Sequence, residues 1–220
     1  MAVTPEHFNR RSFIYPRLIE AGAEFDKIVD AAVAARYPHD APPLGLIDLS
    51  PLPRAGIKGP RSLEWLAEHG WPVPVENNQA AHTESGGLVM RLGNHEAFVL
   101  PAPGGNGETV RALEQSIPGD SAWHMPRRDS HAWFLLRGVA AVECMAKLCG
   151  VDLRESRFPR GAIAQTSVAR LNTIVCRDIA GETPSFHLLA DSASAIWFWD
   201  ALLDAMQEFD GGPLGVRELD

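Results

Sequence analysis

The sequence is poor in cysteine and has no motif that would pair its cysteines or use them to hold a metal. It contains three, Cys144, Cys149 and Cys176, in 220 residues. An odd number without paired spacing is not the disulfide framework of a small secreted protein. Neither Cys-x-x-Cys nor His-x-x-x-His occurs, so no zinc site is expected. The cysteines are predicted to be reduced residues of the core.

Long apolar runs and extended basic clusters are also missing. No apolar run approaches the roughly 20 residues that cross a bilayer, and the start of the chain lacks the layout of a signal peptide. With 20 basic against 28 acidic residues, the formal net charge is −8. Proteins that bind nucleic acid or anionic membranes usually carry a basic patch. We therefore expect a cytoplasmic protein with neither nucleic acid nor membrane among its partners.

Familiar catalytic and phosphate-binding motifs are absent as well. The glycine-rich stretch 101–108 precedes a predicted helix, but it lacks the Lys-Ser/Thr of a phosphate loop and the acidic residue of a dinucleotide site. It is predicted to be a plain loop. No Gly-x-Ser-x-Gly elbow occurs. No residue is therefore singled out as catalytic or as a metal ligand.

The sequence does contain an internal repeat with a period of about 80 residues, which is too long for a solenoid. In each copy a short apolar strand reaches a glycine turn, at Gly59 or Gly138, and a short helix follows. Two more strand-like runs and a helix come next, over 108–116 in the first copy. This order predicts an α+β fold with two ferredoxin-like βαββαβ lobes, at 44–120 and 121–220.

An N-terminal extension, residues 1–43, precedes the two lobes. Ile28 and Ala31 begin an apolar spacing typical of a helix, which is predicted over 25–36 and ends before Pro38. Such an arm can pack against the main body or contact a partner subunit, and the sequence favours neither.

The predicted linker 119–130 leads into the densest cluster of polar and aromatic residues in the chain. Arg127, Arg128 and His131 lie in this cluster. Arginine binds carboxylates with two parallel hydrogen bonds, so these residues are candidates for an anion or partner contact. An exposed linker with structural side chains is the favoured interpretation.

The last predicted helix, over 192–209, is apolar on more than one face. Trp197 and Phe198 widen the apolar stripe beyond one side of the helix. A helix of this kind is buried either in the core or against another chain. Trp197 and Phe198 are therefore candidate partner contacts.

Three segments together resemble the gamma subunit family of heterotetrameric sarcosine oxidase, within the folate-binding aminomethyltransferase (glycine-cleavage T-protein) class. They are 45–52 with 56–60, 158–166, and 183–190 with the helix after it. The resemblance implies two α+β lobes of the folate-binding aminomethyltransferase type in a multi-subunit flavoenzyme. Such an enzyme oxidises an N-methyl amine and passes the one-carbon unit to tetrahydrofolate. It also implies a flavoprotein and other subunits as partners, with the flavin on those partners only.

The T-protein class has a strand after Gly-Gly that ends in paired aspartates, one of which acts in transfer. The matching run here is 86–91, which contains no carboxylate. Proton transfer to or from an amine needs a positioned titratable group, and Met90 cannot supply one. This departure argues against aminomethyl transfer by this chain alone.

The same class has an Arg-then-Thr-Gly-Glu segment whose glutamate holds the pterin ring. The similar run 176–182 has one residue fewer between Arg177 and Glu182. The resemblance implies Glu182 and Arg177 as folate contacts, with Asp48 of the first segment, since a carboxylate accepts two N–H bonds from the pterin edge. A plain hairpin turn at Glu182 and a turn or cap role for Asp48 stay open.

The sequence therefore indicates a sarcosine-oxidase-gamma-like subunit, itself non-catalytic, of a complex that demethylates an amine. The alternative is a tetrahydrofolate-binding one-carbon acceptor, similar to an aminomethyltransferase, that acts with a separate methylamine demethylase. A folate sensor or assembly factor without turnover is a third hypothesis. Sarcosine, dimethylglycine, N-methylglutamate and dimethylamine stay open as substrates of the complex.

Overall fold

The structure is a computed structural model that describes residues 3–178 and 180–219. Within these residues the helices are α1 Tyr15–Glu20, α2 Ser62–Glu68, α3 Glu108–Ser116, α4 Ala141–Ala146 and α5 Ala195–Met206. The strands are β1 Glu24–Ile28, β2 Ala31–Arg36, β3 Leu44–Asp48, β4 Ala55–Lys58, β5 Gln79–His82, β6 Leu88–Gly93, β7 Glu96–Leu100, β8 Trp123–Pro126, β9 His131–Gly138, β10 Ile163–Val168, β11 Leu171–Arg177, β12 Ser185–Asp191 and β13 Gly212–Pro213. No helix among the described residues is long and apolar enough to cross a membrane.

Two sheets face each other at the centre of the molecule. The first has the strand order β5-β6-β7-β4-β8, and the second has the order β10-β11-β12-β9-β3-β13. Helices α2 and α3 cover the outer face of the first sheet, and α1, α4 and α5 cover that of the second. The predicted α+β class is confirmed, as four layers in the order helix, sheet, sheet, helix.

Strand β9 is almost continuously apolar because it is buried on both faces. Trp133 and Leu135 face the first sheet, whereas Phe134 and Leu136 face the helices. Side chains alternate along a strand, so a strand that is covered on both sides has no polar face. The layers therefore explain the apolar run at 132–136.

The predicted repeat is present as two structural units. Elements β4-α2-β5-β6-β7-α3 and β9-α4-β10-β11-β12-α5 follow one another in the same order and give the same strand arrangement. The strand before each unit joins the other sheet, because β3 pairs with β9 and β8 pairs with β4, both antiparallel. The sheets thus exchange strands across residue 120, and the bounds 44–120 and 121–220 stay a prediction.

The helix predicted over 25–36 is wrong. This segment forms the antiparallel hairpin β1–β2, and the helical part of the extension is α1, at Tyr15–Glu20. Residues 31–35 are all buried. A short apolar run buried on two sides has no clear periodicity, so helix and strand cannot be told apart from it. In the structure β2 is buried on both faces, which explains why this apolar run forms a strand and not a helix.

Candidate functional site

Alternate residues of β9 divide the space between the sheets into two cavities. Trp133 and Leu135 fill the middle of this space and are 0% and 2% exposed. One cavity contains Arg137 and the other contains His131. At a rise of about 3.3 Å per residue, these two positions lie about 20 Å apart along the strand. We call them the Arg137 cavity and the His131 cavity.

The Arg137 cavity encloses about 280 Å³ between the two repeat units. This volume lies just below the usual range of small-molecule pockets, roughly 300–1,000 Å³, and suits a single ring system. Both units and the C-terminal segment contribute to its walls. The lining residues are Gly86, Leu88, Pro101, Pro103, Gly104, Leu135, Arg137, Asp178, Ala180, Gly181, Thr183, Ser185, His187 and Leu219.

Asp178 and His187 form the polar centre of this cavity, and Trp133 contacts His187 from the core between the sheets. The indole Nε1 of Trp133 donates to Nδ1 of His187 at 3.1 Å. An indole N–H can only donate, so Nδ1 is unprotonated and the neutral ring carries its proton on Nε2. That Nε2 lies 3.6 Å from Asp178 Oδ2. Trp133 therefore fixes the orientation of a buried histidine N–H towards a carboxylate.

A second histidine approaches the same carboxylate from the first repeat unit. His82, on β5, places its Nε2 3.5 Å from Asp178 Oδ1. The Asp178 side chain is only 14% exposed. Its carboxylate therefore lies between one histidine of each unit, which connects the two sheets at this end of the cavity.

Arg137 brings a positive charge to the same row of the second sheet. Arg137 is the register partner of Ser185, and the Asp178 backbone N donates to Ser185 O at 2.9 Å. Adjacent strands lie about 4.8 Å apart, so the backbones of Asp178 and Arg137 are about 10 Å apart. Nη1 of Arg137 donates to the Leu219 carbonyl at 2.8 Å. The cavity can thus accept N–H donors at one end and an anionic group at the other.

The three residues predicted to contact folate do not line this cavity. Glu182 is exposed. Arg177 points to the helix side of its sheet, where Nη1 donates to Leu153 O at 2.9 Å and the guanidinium lies 5.3 Å from the Phe186 ring centroid. Because side chains alternate along a strand, the next residue, Asp178, points into the cavity instead. The geometry favours Asp178 over Glu182 as the carboxylate that meets a ligand.

Asp48 is a buried residue at the end of β3 rather than a cavity residue. Its Oδ1 accepts the Ser50 backbone N–H at 3.0 Å, as in a local turn. Burial raises the pKa of Asp48, and hydrogen bonds from Ser12 and Ser50 oppose that shift. This matches the turn role that the sequence left open for Asp48.

Arg54 is a fully buried arginine that no motif in the sequence singled out. It donates to backbone carbonyls on both sides of the strand exchange, those of Ser50, Leu52, Arg127, Arg128 and His131. Burial lowers its pKa, and the charge of Asp48 opposes this. Arg54 thus ties the connection between β3 and β4 to the loop between β8 and β9. A lone arginine inside the otherwise apolar stretch 49–57 was the available signal.

The residues predicted to contact a partner or an anion lie in different parts of the structure. Arg127 and His131 line the His131 cavity, whereas Arg128 pairs with Asp30 of the extension. Trp197 is 50% exposed. The prediction of Phe198 as a partner contact is wrong. Phe198 is 0% exposed, and its ring centroid lies 5.7 Å from that of Phe134. Helical spacing turns Phe198 to the core while Trp197 faces outwards.

Among residues 3–178 and 180–219, no group of three or more His, Cys, Asp or Glu side chains could hold a metal ion. The three cysteines are buried and free, as predicted. Burial raises the pKa of Cys144 to about 11. Such thiols are poor nucleophiles at neutral pH.

Comparisons with known proteins identify a family and solved structures that share the fold. The family model described as the GCVT N-terminal domain matches residues 5–220. An aminomethyltransferase from Saccharopolyspora erythraea is 28% identical over 214 residues, which cover 89% of this chain and 58% of the relative. The chain therefore spans little more than half the length of this relative.

Two solved structures share the fold. Glycine cleavage system aminomethyltransferase T from Bartonella henselae aligns with a TM-score of 0.72 at 14% identity, over 94% of this chain and 60% of that one. A chain of the heterotetrameric sarcosine oxidase from Corynebacterium sp. U-96, in complex with pyrrole 2-carboxylate, aligns with a TM-score of 0.69 at 21% identity. This second alignment covers 93% of this chain and 98% of that one.

Proposed function

The chain belongs to the GCVT N-terminal domain family, and on this premise we propose that it is a companion subunit, itself non-catalytic, of an N-demethylating amine oxidoreductase of the sarcosine oxidase type. The main support for the proposal is the share of each related chain that aligns with this one. The alignment takes in 98% of a sarcosine oxidase chain but 60% of the aminomethyltransferase T chain. Nearly every part of the sarcosine oxidase chain thus has a counterpart here.

The strand that matches the aspartate-bearing strand of the T-protein class supports a non-catalytic role. In β6, Leu88 and Met90 pack into the core between the sheets, and Arg91 donates to Asn77 Oδ1 at 2.9 Å. No carboxylate of β6 meets the Arg137 cavity. Aminomethyl transfer needs a group that moves a proton at the amine, and this strand does not supply it.

An exposed apolar pair on α5 supports a contact with another subunit. Ile196 and Trp197 are 42% and 50% exposed. Asp200, one turn further along this face, is held by Arg17 of α1 at 3.0 Å. A large aromatic side chain held on a rigid helix is the typical anchor of a protein interface.

In the proposed complex the flavin resides on a partner flavoprotein, which oxidises the N-methyl amine, and tetrahydrofolate receives the one-carbon unit. The site of action would be the cytoplasm. Purification of the tagged chain from its native organism, with flavin absorbance used to detect a flavoprotein partner, tests the proposal. We expect the two to co-elute at a fixed ratio in gel filtration. A chain that elutes alone, without flavin absorbance, contradicts it.

The Arg137 cavity favours a second candidate function, a tetrahydrofolate-binding one-carbon acceptor that acts with a separate methylamine demethylase. Asp178 can accept two parallel N–H bonds from the aminopyrimidine edge of a pterin, and Arg137 suits an anionic group of the same ligand. Bound folate would supply the one-carbon acceptor, and the chain's own residues would bind and orient it.

Calorimetry with tetrahydrofolate tests this second candidate. Asp178→Asn should weaken binding at least tenfold, because a hydrogen bond to a charged acceptor becomes a neutral one. Glu182→Gln is the matched control, since Glu182 is exposed and outside the cavity, and it should bind like the wild type. No heat at millimolar tetrahydrofolate excludes this function.

A further inference from the structure

We propose that the His131 cavity binds a small carboxylate ligand that carries a further polar group, such as a hydroxy acid. The cavity encloses about 370 Å³ at the end of the inter-sheet space opposite the Arg137 cavity. Trp133 and Leu135 separate the two cavities. Its polar lining consists of Glu96, Arg127, His131, Gln165, Thr166, Asn172 and Thr173, and Leu92, Ile174 and Leu189 supply an apolar wall. The proposal does not depend on the subunit role.

Cations outnumber the carboxylates that pair with them at this cavity. Nη2 of Arg127 donates to Glu96 Oε1 at 2.5 Å, and the other oxygen of Glu96 receives Lys58 Nζ at 3.0 Å. One carboxylate thus serves two cations. The buried Arg54 lies behind the cavity and bonds only to backbone carbonyls, those of Arg127 and His131 among them. The charges of Asp48 and Asp129 act on Arg54. That of Asp191 acts on His131. Arg127 is therefore the cation with which an incoming carboxylate would pair.

Arg127 is held in place before any ligand arrives. Its guanidinium carbon lies 5.5 Å from the Phe98 ring centroid. Its Cγ lies over Gly56, where a Cβ would come within 2.6 Å. The side chain is 17% exposed. A guanidinium fixed in this way loses little freedom on binding, which favours bidentate recognition of a carboxylate.

His131 reports the electrostatic character of the cavity. Its Nδ1 lies 2.8 Å from Ser130 Oγ, and its ring meets Phe98 edge to face at 5.6 Å. Burial and the charges of Arg127 and Arg54 lower the pKa of His131 to about 4, and Asp191 and Glu96 oppose this less strongly. The ring is therefore neutral at pH 7. A bound carboxylate would favour the protonated ring and raise this pKa.

The hairpin β10–β11 provides neutral hydrogen-bonding groups at the rim. Nε2 of Gln165 donates to Asn78 Oδ1 and to Leu92 O, both at 2.8 Å. These bonds turn the amide so that its oxygen is left to accept a hydrogen bond from a ligand. Thr166 and Asn172 lie on the same hairpin. A hydroxyl on the ligand would find donors and acceptors here, which is why we assign a hydroxy acid rather than a plain alkanoate.

Nuclear magnetic resonance of the full chain with isotope-labelled histidine tests this inference. Glycolate is the probe, and its neutral amide, glycolamide, is the control at equal ionic strength. Glycolate should shift the His131 imidazole signals in a saturable way at millimolar concentration and raise the pKa of His131. The His187 signals, which come from the Arg137 cavity, should not move. Glycolamide should bind at least tenfold more weakly.

Substitution of Arg127 distinguishes specific binding of glycolate at this cavity from a general effect of ionic strength. Arg127→Gln should weaken glycolate binding at least tenfold, whereas Arg36→Gln, which removes an exposed arginine of β2, should leave it unchanged. If Arg127→Gln loses its dispersed spectrum, Arg127→Lys replaces it and should still weaken binding because the bidentate fork is lost. No saturable shift of His131, or equal loss in both glutamine variants, overturns the proposal.

Discussion

Gly59 and Gly138 hold the same position in the two repeat units, each at the end of the strand that receives an exchanged strand. Their φ angles are 142° and 155°. A Cβ on Gly59 would lie 2.5 Å from the carbonyl oxygen of Ser121, just before β8, and a Cβ on Gly138 would lie 2.5 Å from that of Pro43, just before β3. The two glycines therefore allow the exchanged strands to approach closely. Because each repeat unit pairs with a strand that precedes the other unit, the two units are held together.

Alanine at these glycines should destabilise the fold. Gly59→Ala and Gly138→Ala should each lower the free energy of unfolding by about 2 kcal/mol or more, because a backbone carbonyl must move. Gly70→Ala is the matched control, since Gly70 also has a positive φ of 79° but open space around a Cβ, and should cost about 1 kcal/mol. Urea unfolding measures all three. Equal costs at the three positions would show that the strand exchange places no demand on Gly59 and Gly138.

Removal of the indole donor should release His187. Trp133→Phe leaves Nδ1 of this buried ring without its partner, so stability should fall by about 1–3 kcal/mol and the ring should no longer be confined to the Nε2–H tautomer. Urea unfolding and histidine nitrogen chemical shifts measure these two effects. Trp65→Phe, on the outer helix α2, is the control and should leave the His187 signals in place. An unchanged tautomer in Trp133→Phe contradicts the proposed orientation.

The two adjacent aromatic residues of α5 should respond in opposite ways. Trp197→Ser should change the free energy of unfolding by no more than about 0.5 kcal/mol, as expected for a surface position, yet abolish co-elution with the flavoprotein partner. Phe198→Ala should cost about 3–5 kcal/mol, because it empties a fully buried site. Trp197→Ser that co-elutes like the wild type removes α5 from the proposed interface.

His131 should make stability depend on pH in a defined window. Its pKa is about 4 in the fold against an ordinary 6.5, so between these values the unfolded chain binds more protons than the folded one. Stability should therefore rise as pH increases from about 4 to 6.5, by about 1–2 kcal/mol once solvent screening is included. Arg10 lowers the pKa of Asp129, whereas burial raises the pKa of Asp48 and opposes the rise in stability. The His131 contribution is therefore measured as the difference between the wild type and a His131 variant.

Urea unfolding of His131→Gln over the same pH range checks this expectation, with His69→Gln as a control at an exposed histidine. The slope between pH 4 and 6.5 should flatten in the first variant and persist in the second. The idea fails if both variants keep the wild-type slope.

Local signals in the sequence predicted much of the fold. Helix α3 lies at Glu108–Ser116, as predicted after the glycine-rich loop. The strand and short helix that begin each unit are also confirmed, whereas in the described part of the chain three strands, and not the two predicted runs, separate the helices of each unit. These features depend on glycine turns and on periodicity within one segment, which a sequence states directly.

The wrong or missing predictions concern residues whose structure depends on contacts with distant segments of the chain. Strand β8 lies within the predicted linker 119–130, because it becomes a strand only by pairing with β4. The segment around 25–36 is a hairpin because β2 is covered on both faces. Likewise Asp178 and His187 were within the family-like segments, but which of two neighbouring side chains faces a cavity depends on the sheet opposite. Polar residues inside apolar strands, such as His187 and Arg137, were the available signal.

We propose that this chain is a non-catalytic subunit bound to a flavoprotein that oxidises an N-methyl amine. Affinity purification of the tagged chain from its native organism, followed by visible absorption spectroscopy with added sarcosine or another N-methyl amine, tests it most directly. We expect the purified chain to carry a flavin at a fixed ratio, and the flavin absorbance should bleach when the amine is added without an electron acceptor. A purified chain with no flavin absorbance, or with a flavin that no N-methyl amine bleaches, would contradict it.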